Sequence, residues 1–361
     1  MRELDRLLKK MVEMKASDLH IVIGLKPVIR LHGDLVQMQD ENVVTAEFSK
    51  HIIYEVMNEN QRRIFEQNLD FDFAHEIPGL SRFRCNVLNT TKGVQGVFRI
   101  IPTRIKSVQE LGLPETILKF AELRQGLVLV TGPTGSGKST TLAAIIDHIN
   151  QNREAHIITI EDPIEFVHQN KKSVITHREV GTHVSSFVEA IKAAGREDPD
   201  IILVGELRDT ETISIAISTA SFGILVLATL HTNSAAATID RIIDSYAPEE
   251  QPQVRNMLSD SLKGVISQQL LKTADGQGRI AAVEVLFSTP ALANLIREGK
   301  TFQVPSLIQT GQQLGMQSMD QCLYNYVKKG IITAEAAFEK ALDKPQFIKT
   351  LEKEGIKINI Q

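Results

Sequence analysis

Tryptophan is absent from this chain of 361 residues, and cysteine occurs only twice, at Cys85 and Cys322. The two cysteines lie far apart and have no partners at metal-ligand spacing. A disulfide framework and a cysteine-rich zinc site are therefore both excluded. Such sparse cysteine suits a reducing compartment, and we expect a cytoplasmic protein.

An excess of charge of one sign is also missing. The 40 Lys and Arg residues nearly balance the 44 Asp and Glu residues, which leaves a formal net charge of −4. Aromatic residues make up 5% of the chain, and the sequence has no basic stripe with interleaved aromatic residues. A helicase or another nucleic-acid translocase would need such a surface. We therefore expect no nucleic acid among the partners.

Long apolar runs of the kind found in signal peptides and transmembrane helices are missing as well. The opening stretch MRELDRLLKKMVEMKASDLH is charged throughout and lacks a signal-peptide core. Its Leu4, Leu7, Leu8 and Met11 fall on one helical face, which predicts a packed amphipathic helix. The longest uncharged run, 213–230, approaches transmembrane length, but its Ser and Thr residues favour a buried helix that turns into a core strand.

Local sequence patterns divide the chain into four parts. Short β-like segments with helical stretches between them predict a small α/β domain over 1–101. Residues 102–114 mix Pro, Gly and charge, which is typical of an interdomain linker. Over 115–289, apolar strands are interleaved with helices, which predicts a parallel sheet covered on both faces. The pattern over 290–361 predicts a helical C-terminal region.

The run LVLVTGPTGSGKSTTLAAII contains a complete phosphate-binding pattern between an apolar strand and a helix-compatible segment. Its glycines let the backbone curl so that successive N–H groups point at phosphate oxygens. Lys138 then reaches the β- and γ-phosphates, and Ser139 offers its hydroxyl to Mg²⁺. We predict ATP and Mg²⁺ as cofactors. The residues predicted to bind the nucleotide are Gly132, Pro133, Thr134, Gly135, Ser136, Gly137, Lys138, Ser139 and Thr140.

Polar residues follow three apolar strands of the same domain. Hydrolysis needs an oriented water and stabilisation of the charge on the transferring phosphoryl group. Ligands of an open parallel sheet bind at the carboxyl ends of its strands. We therefore expect Glu206, which follows IILVG, to hold the Mg²⁺ shell or to polarise the attacking water. The polar residues at the three strand ends are Glu161, Asp162, Glu165, Glu206, Thr229, His231 and Thr232.

Several motifs resemble those of a known family. The segments VTGPTGSGKSTTLAAIID, TIEDPIEFVH, REDPDIILVGELRD and ATLHTNSAAATIDRIID are similar to the Walker A, Asp box, Walker B and His box of the secretion ATPase superfamily. The segments ASDLHIVIGLKPVIRLHGDL, LSRFRCNV, VISQQLL, TPALANLIRE and LGMQSMDQCLYNYV resemble those of the PilT-like retraction ATPases of type IV pili. The resemblance runs over nearly the full chain.

This resemblance implies an α/β fold with an N-terminal PAS-like domain and a C-terminal RecA-like P-loop ATPase domain. It implies a homohexameric ring, with ATP between the two domains. It further implies that ATP hydrolysis powers pilus retraction and twitching motility. The motor would lie in the cytoplasm at the inner membrane, beneath a platform protein, and would drive the disassembly of pilin.

The resemblance also assigns roles to residues of the site. Lys138 and Ser139 take the phosphate and Mg²⁺ positions. Glu165 and Glu206 correspond to the acidic residues of the Asp box and Walker B, and His231 corresponds to the sensing histidine. The family supplies arginines from its N-terminal domain to the nucleotide, because developing phosphoryl charge must be met by cations. The candidates for these arginines are Arg82, Arg84 and Arg99.

Two segments depart from the family pattern. TPALANLIRE has Ala293 where the retraction motif has Arg, and ASFGILV has Ile224 where the His box has its first histidine. Ile224 can neither donate a hydrogen bond nor carry charge. The alternative hypothesis is therefore a slow or inactive ATP-binding paralogue that acts as an accessory subunit of another retraction ATPase. A secretion or pilus-extension ATPase is disfavoured, since those relatives commonly carry a four-cysteine metal module.

Overall fold

The computed structural model describes residues 2–31, 33–101, 104–356 and 358. These residues form two compact units, Met1–Arg104 with Pro163–Phe166, and Ile105–Asp162 with Val167–Gln361. The first two residues of the predicted linker 102–114 lie outside the described residues. From Ile105 onward, that segment belongs to the second unit, because Val108 and Leu113 are buried in its core. The predicted linker is therefore anchored in the second unit at these two residues.

The first unit is built on one antiparallel sheet. Its elements are α1 (Glu3–Glu13), β1 (Asp18–Ile21), β2 (Val28–Leu31), β3 (Asp34–Gln37), α2 (Ala46–Val56), α3 (Glu59–Asn68), β4 (Asp70–Ile77), β5 (Ser81–Thr90) and β6 (Gly93–Ile101). The strands lie in the order β3-β2-β1-β6-β5-β4. Leu4, Leu7, Leu8 and Met11 of α1 are fully buried in the core of this unit, which confirms the predicted packing helix.

The second unit is built on a seven-stranded mixed sheet. Its first elements are a 3₁₀ helix (Glu115–Glu122), β7 (Gly126–Thr131), α4 (Lys138–Asn152), β8 (His156–Glu161), β9 (Val174–Glu179), α5 (Phe187–Ala194), β10 (Ile201–Val204), α6 (Thr210–Ser221), β11 (Leu225–Leu230), α7 (Ala235–Asp244), α8 (Gln251–Ser261), β12 (Leu262–Lys272) and β13 (Arg279–Phe287). The strand order is β13-β12-β7-β11-β10-β8-β9. Only the edge strand β13 runs antiparallel to its neighbour in this sheet of described strands.

The central strand β7 is buried on both faces. Leu127 and Leu129 pack into a core shared with helices α5 to α8, whereas Val128 and Val130 pack into a core shared with α4. Successive side chains of a strand point to opposite faces, so helices cover the sheet on both sides. The predicted α/β fold with a covered parallel sheet is confirmed, with the antiparallel β13 as an addition.

The C-terminal region is helical, as predicted. Its helices are α9 (Pro290–Arg297), α10 (Val304–Thr310), α11 (Met319–Lys328), α12 (Ala334–Lys340) and α13 (Lys344–Lys353). Leu292 of α9 and Ile308 of α10 extend the core beside α7 and α8. Helices α11 to α13 form a separate small core against Leu271 of β12 and Ala282 of β13. The outermost strands of the sheet therefore join the C-terminal helices to the second unit.

The long uncharged run 213–230 folds within the second unit. It comprises most of α6 and all of β11, whose six residues are buried. The predicted helix that turns into a core strand is confirmed. Among the described helices, none combines the length and the hydropathy that crossing a membrane would require.

Candidate active site

The phosphate-loop sequence forms the connection between β7 and α4. Gly132, Gly135 and Gly137 all have positive φ, at 145°, 78° and 91°. A Cβ on Gly132 would lie 2.2 Å from the carbonyl oxygen of Gln268, so only glycine fits there. Helix α4 begins at Lys138, directly after the loop. The loop therefore ends at a helix N-terminus, where backbone N–H groups and the helix dipole favour phosphate.

The loop side chains differ in exposure. Ser136 and Lys138 are buried, whereas Pro133, Thr134 and Ser139 are exposed. Thr140 is half-buried on the first turn of α4. The Ser139 hydroxyl is thus open to a ligand at the start of the helix, as a Mg²⁺ ligand has to be.

Lys138 lies inside the curl of the loop. Its Nζ donates hydrogen bonds to the carbonyl oxygens of Gly132, at 2.9 Å, and Pro133, at 3.1 Å. The same Nζ lies 3.4 Å from Nδ1 of His231. Burial lowers the pKa of Lys138, and the opposite charge of Glu206 counters this effect. The ammonium group is therefore held close to the polar residues of the neighbouring strand ends.

Glu206 and His231 meet at the carboxyl ends of the adjacent strands β10 and β11. His231 Nε2 lies 3.0 Å from Glu206 Oε1, and Arg208 Nε donates to Glu206 Oε2 at 2.9 Å. Arg208 also lies 3.8 Å from Asp162, which follows β8. The structure thus brings together Lys138, His231 and Glu206 in one row of contacts. Sequence reasoning did not single out Arg208, although it stands in the quoted segment GELRD.

The other polar residues at the strand ends hold the neighbouring backbone in place through hydrogen bonds. Thr229 Oγ1 donates to the carbonyl oxygen of Gly205, and Thr229 accepts the Leu207 N–H on its own carbonyl oxygen at 3.0 Å. Thr232 Oγ1 lies 2.7 Å from Thr238 Oγ1. Glu161, the last residue of β8, is buried. These contacts fix the strand ends that carry Glu206 and His231.

The three predicted arginines share one face of the sheet in the first unit. Arg84 on β5 is directly opposite Arg99 on β6, and Arg82 is two residues before Arg84. Arg99 Nε donates to Asp18 Oδ1 at 2.7 Å. Arg82 lies 4.0 Å from Glu76. Burial raises the pKa of Asp18, but hydrogen bonds from Ser17 and Arg99 outweigh it, so the pKa is lowered overall.

Glu165 lies beside Arg84 in the first unit. The segment Pro163–Phe166 groups with the first unit, and Arg84 Nη1 donates to Glu165 Oε1 at 3.3 Å. Burial raises the pKa of Glu165, against the opposing charges of Arg84 and Arg99. The sequence grouped Glu165 with the strand ends and did not predict its contact with Arg84.

The family model for type II/IV secretion system proteins matches residues 1–339. The chain belongs to this family. The "Type IV pilus retractation ATPase PilT" of Pseudomonas aeruginosa is 50% identical over 341 residues, which are 94% of this chain and 98% of that protein. The "Twitching motility protein" of Neisseria gonorrhoeae is 53% identical over 315 residues, which are 87% of this chain and 84% of that protein.

Two solved structures resemble this secretion-family chain. The pilus retraction motor PilT with bound ADP has a TM-score of 0.89 and 44% identity, over 96% of this chain and 98% of that one. The Legionella pneumophila ATPase DotB has a TM-score of 0.81 and 28% identity, over 98% and 96%. The resemblance to the PilT-like retraction ATPases is thereby confirmed.

The departures of this family member in its His box lie far from the row of contacts. Ile224 precedes β11, whereas His231 follows it. At about 3.3 Å per residue, the seven steps between them span about 23 Å. Ile224 packs against the core, and Phe222 beside it is 83% exposed. Within one chain, Ile224 therefore lies at the end of β11 opposite to the row of contacts from Lys138 to Glu206.

Proposed function

We propose that this chain is an ATP-hydrolysing motor that powers type IV pilus retraction and twitching motility. The observation that carries the proposal is the row of contacts from Lys138 through His231 to Glu206, beside a phosphate loop that opens a helix. The twitching motility protein of Neisseria gonorrhoeae and PilT of Pseudomonas aeruginosa indicate the biological process. The similar PilT structure with bound ADP indicates the nucleotide.

In this proposal, the phosphate loop binds ATP through its backbone N–H groups and Lys138. The ammonium group now hydrogen bonded to the loop carbonyls would donate instead to the β- and γ-phosphates. The phosphate anions would counter the lowering of the Lys138 pKa, because nearby negative charge favours the protonated form. The loop recognises the phosphates of the nucleotide and does not recognise its base.

Mg²⁺ fits the oxygen donors of this end of the sheet. Mg²⁺ prefers hard oxygen ligands and is bound in ATP sites through few protein groups together with substrate phosphates. Ser139 offers an exposed hydroxyl, and Glu206 offers a half-buried carboxylate. Neither this end of the sheet nor any other part of the described chain holds three His, Cys, Asp or Glu residues arranged for a metal ion. The metal would therefore arrive with the nucleotide, with Ser139 as its protein ligand.

Glu206 is the residue we assign to water activation. Its Oε1 contacts His231 and its Oε2 contacts Arg208, so both carboxylate oxygens are oriented. A fixed carboxylate beside the γ-phosphate can accept a proton from the attacking water or polarise it. His231, between Lys138 and Glu206, would sense the occupancy of the γ-phosphate position.

The arginine cluster is proposed to supply positive charge to the transferring phosphoryl group. Arg82, Arg84 and Arg99 lie on one face, and Glu165 is the carboxylate beside Arg84. Since Arg84 and Arg99 already contact carboxylates, their use on a phosphate requires exchange of one anion for another. Arginine suits this role because its planar fork matches phosphate oxygens.

We further propose a homohexamer that acts in the cytoplasm at an inner-membrane platform protein of the pilus machine. The alternative function is a slow or inactive paralogue that assists another retraction ATPase. The "Type IV pilus ATPase PilU" of Pseudomonas aeruginosa is 41% identical over 339 residues. The greater identity to PilT, at 50%, and the intact phosphate-loop end of the sheet favour the motor.

The test is steady-state ATP hydrolysis by the purified chain at several protein concentrations, with and without Mg²⁺, beside Lys138→Ala. A motor shows turnover that rises with assembly, requires Mg²⁺ and vanishes in the variant. Tight ATP binding by the assembled chain with negligible turnover would favour the accessory paralogue. Turnover that persists in Lys138→Ala would count against this site.

A further inference from the structure

Strand β12 carries a buried polar residue beneath the phosphate loop. Gln268 is 2% exposed. Its Nε2 donates to the carbonyl oxygen of Ser136 at 2.6 Å, and its Oε1 accepts from Thr141 Oγ1 at 2.7 Å. Both ends of the amide are therefore used, one on the phosphate loop and one on the first turn of α4. In the sequence, Gln268 belongs to the segment VISQQLL, which indicated only the family. We assigned no role to this residue from the sequence.

The preceding residue of β12 begins a chain of buried hydroxyl groups. Ser267 Oγ lies 2.8 Å from Thr131 Oγ1, at the end of β7. Thr238 on α7 lies 3.5 Å from Thr131 and 2.7 Å from Thr232, the residue after His231. The hydroxyl chain therefore connects β12 to the segment that carries His231.

The partner strand β13 adds a buried carboxylate to the same arrangement. Glu284 is opposite Ser267 and is 4% exposed. Its Oε1 accepts the backbone N–H of Ala235, the first residue of α7, at 2.7 Å. Met319, the first residue of α11, packs in a core with Ala282 of β13, and the Val285 N–H donates to the Gln317 carbonyl oxygen at 2.8 Å. Strand β13 thus joins the helix that follows the His231 segment to the C-terminal helices.

We infer that the hairpin of β12 and β13 is a positioning element of the nucleotide site. Gln268 sets the conformation of the phosphate loop, and Glu284 sets the start of α7 and, with it, the position of His231. This inference rests on the proposed ATPase function. Its consequence is that the C-terminal helices, which contact the same hairpin through Met319 and through Gln269 beside Lys340, are coupled to nucleotide binding and turnover.

The first test is Gln268→Met in the full chain, with Gln269→Met as the matched control. Methionine keeps the approximate volume and removes both hydrogen bonds. Gln269 is the adjacent buried glutamine, but it faces the C-terminal helices. Calorimetric titration with ADP should show about tenfold or more weaker binding for Gln268→Met, because a loop carbonyl and a hydroxyl lose their partner. The control should bind within about twofold of the unmodified chain.

Gln268→Glu separates positioning from general destabilisation. An ionised glutamate can still accept from Thr141, but it cannot donate to the Ser136 carbonyl; a protonated one can. ADP affinity relative to the unmodified chain should therefore recover as the pH is lowered from about 8 to about 6, since burial raises the pKa of a carboxyl. A purely structural defect would leave that ratio constant with pH and would overturn the assignment of Gln268.

Glu284→Met tests the second contact of the hairpin. Displacement of His231 should lower kcat about tenfold and leave the ADP affinity within about twofold, because the phosphate loop keeps Gln268. Glu284→Gln, which retains an acceptor oxygen, should show the same split more weakly and serves if the methionine variant does not fold. Unchanged kcat in a folded variant would overturn the role of Glu284.

The outcomes also separate this inference from the function on which it rests. If Lys138→Ala loses ADP binding while Gln268→Met equals Gln269→Met and Glu284→Met keeps full kcat, the hairpin inference is wrong and the ATPase proposal stands. If the unmodified chain neither binds ADP nor hydrolyses ATP, both are overturned. Weaker binding in Gln268→Met together with slower turnover in Glu284→Met supports the inference.

Discussion

The two ends of β11 carry different kinds of residues and have different neighbours. At the carboxyl end, His231 contacts Lys138 and Glu206 beside the phosphate loop. At the amino end, Ile224 packs on the core and Phe222 is exposed. The family pattern is kept at the first end and replaced at the second. A departure at one end of a motif can therefore lie a full strand length away from the residues at its other end.

Gly132→Ala should have the largest effect at the carboxyl end. The new Cβ would lie 2.2 Å from the Gln268 carbonyl oxygen, in a backbone region with φ at 145°. We expect ADP affinity to fall by about a hundredfold or more, since the loop must move to relieve the clash. Titration calorimetry with ADP measures it.

Gly181→Ala is the matched control for that variant. Gly181 also has positive φ, at 79°, but a Cβ there would meet no described atom within 4 Å. Its backbone strain is therefore similar in kind, and its ADP affinity should be unchanged. Equal affinities in the two alanine variants would mean that the loop conformation does not determine nucleotide binding.

Glu206→Gln should have the next largest effect, on turnover rather than on binding. The change keeps the shape of the side chain and removes the charge that orients water, so kcat should fall about a hundredfold or more with ADP affinity retained. Glu211→Gln, an exposed position on α6, is the control. Full activity in Glu206→Gln would indicate that Glu165, in the arginine cluster, activates the attacking water instead.

Glu284→Gln should change how stability depends on pH. Burial, together with the like charge of Asp320 on α11, raises the pKa of Glu284 to about 7, against the opposing effect of the backbone groups of Ala235 and Met319. The folded state thus holds a proton that the unfolded chain releases near pH 4.5. The free energy of unfolding should therefore fall as pH rises from about 4.5 to about 7, by on the order of 3 kcal/mol from this group.

The glutamine variant cannot titrate at position 284, so its unfolding temperature should vary less over that pH range. Thermal unfolding at a series of pH values measures the difference. Glu298→Gln on the exposed end of α9 should keep the slope of the unmodified chain. Equal slopes for Glu284→Gln and the unmodified chain would show that the buried carboxyl does not carry the pH dependence.

Ile224→His should have the smallest effect on nucleotide binding. The position lies about 23 Å along the strand from His231, so ADP affinity should stay within about twofold. Folding must be compared first, because a partly buried imidazole without a partner is destabilising. A fivefold or larger change in ADP affinity in a folded variant would contradict the claim that only the carboxyl end of β11 affects nucleotide binding.

Much of the fold follows from local sequence patterns. The apolar run before the phosphate loop is β7, α4 begins at Lys138 as the pattern requires, and the run 213–230 is a helix followed by a strand. These elements depend on periodicity and on glycine positions, which neighbouring residues determine. The packing of Val108 and Leu113 in the second unit depends on residues that are distant in the sequence. Local patterns could therefore not predict it.

The candidate site was predictable to the same extent. The phosphate loop, Glu206 and His231 were found from a motif and from the rule that strand ends converge. Gln268 was not assigned a role because the pairing of β12 beside β7 brings together residues more than 130 positions apart. The grouping of Glu165 with Arg84 was missed for the same reason, since a four-residue segment joins the other unit.

The most direct measurement is hydrogen exchange of the full chain with and without ADP. We expect slower exchange of the backbone amides over 134–140 and of those around Glu206 and His231 when ADP binds. The amides over 222–224 should exchange at the same rate in both states. Protection confined to 222–224, or no protection at the phosphate loop at ADP concentrations that saturate binding, would contradict the assignment of the site to the carboxyl end of the sheet.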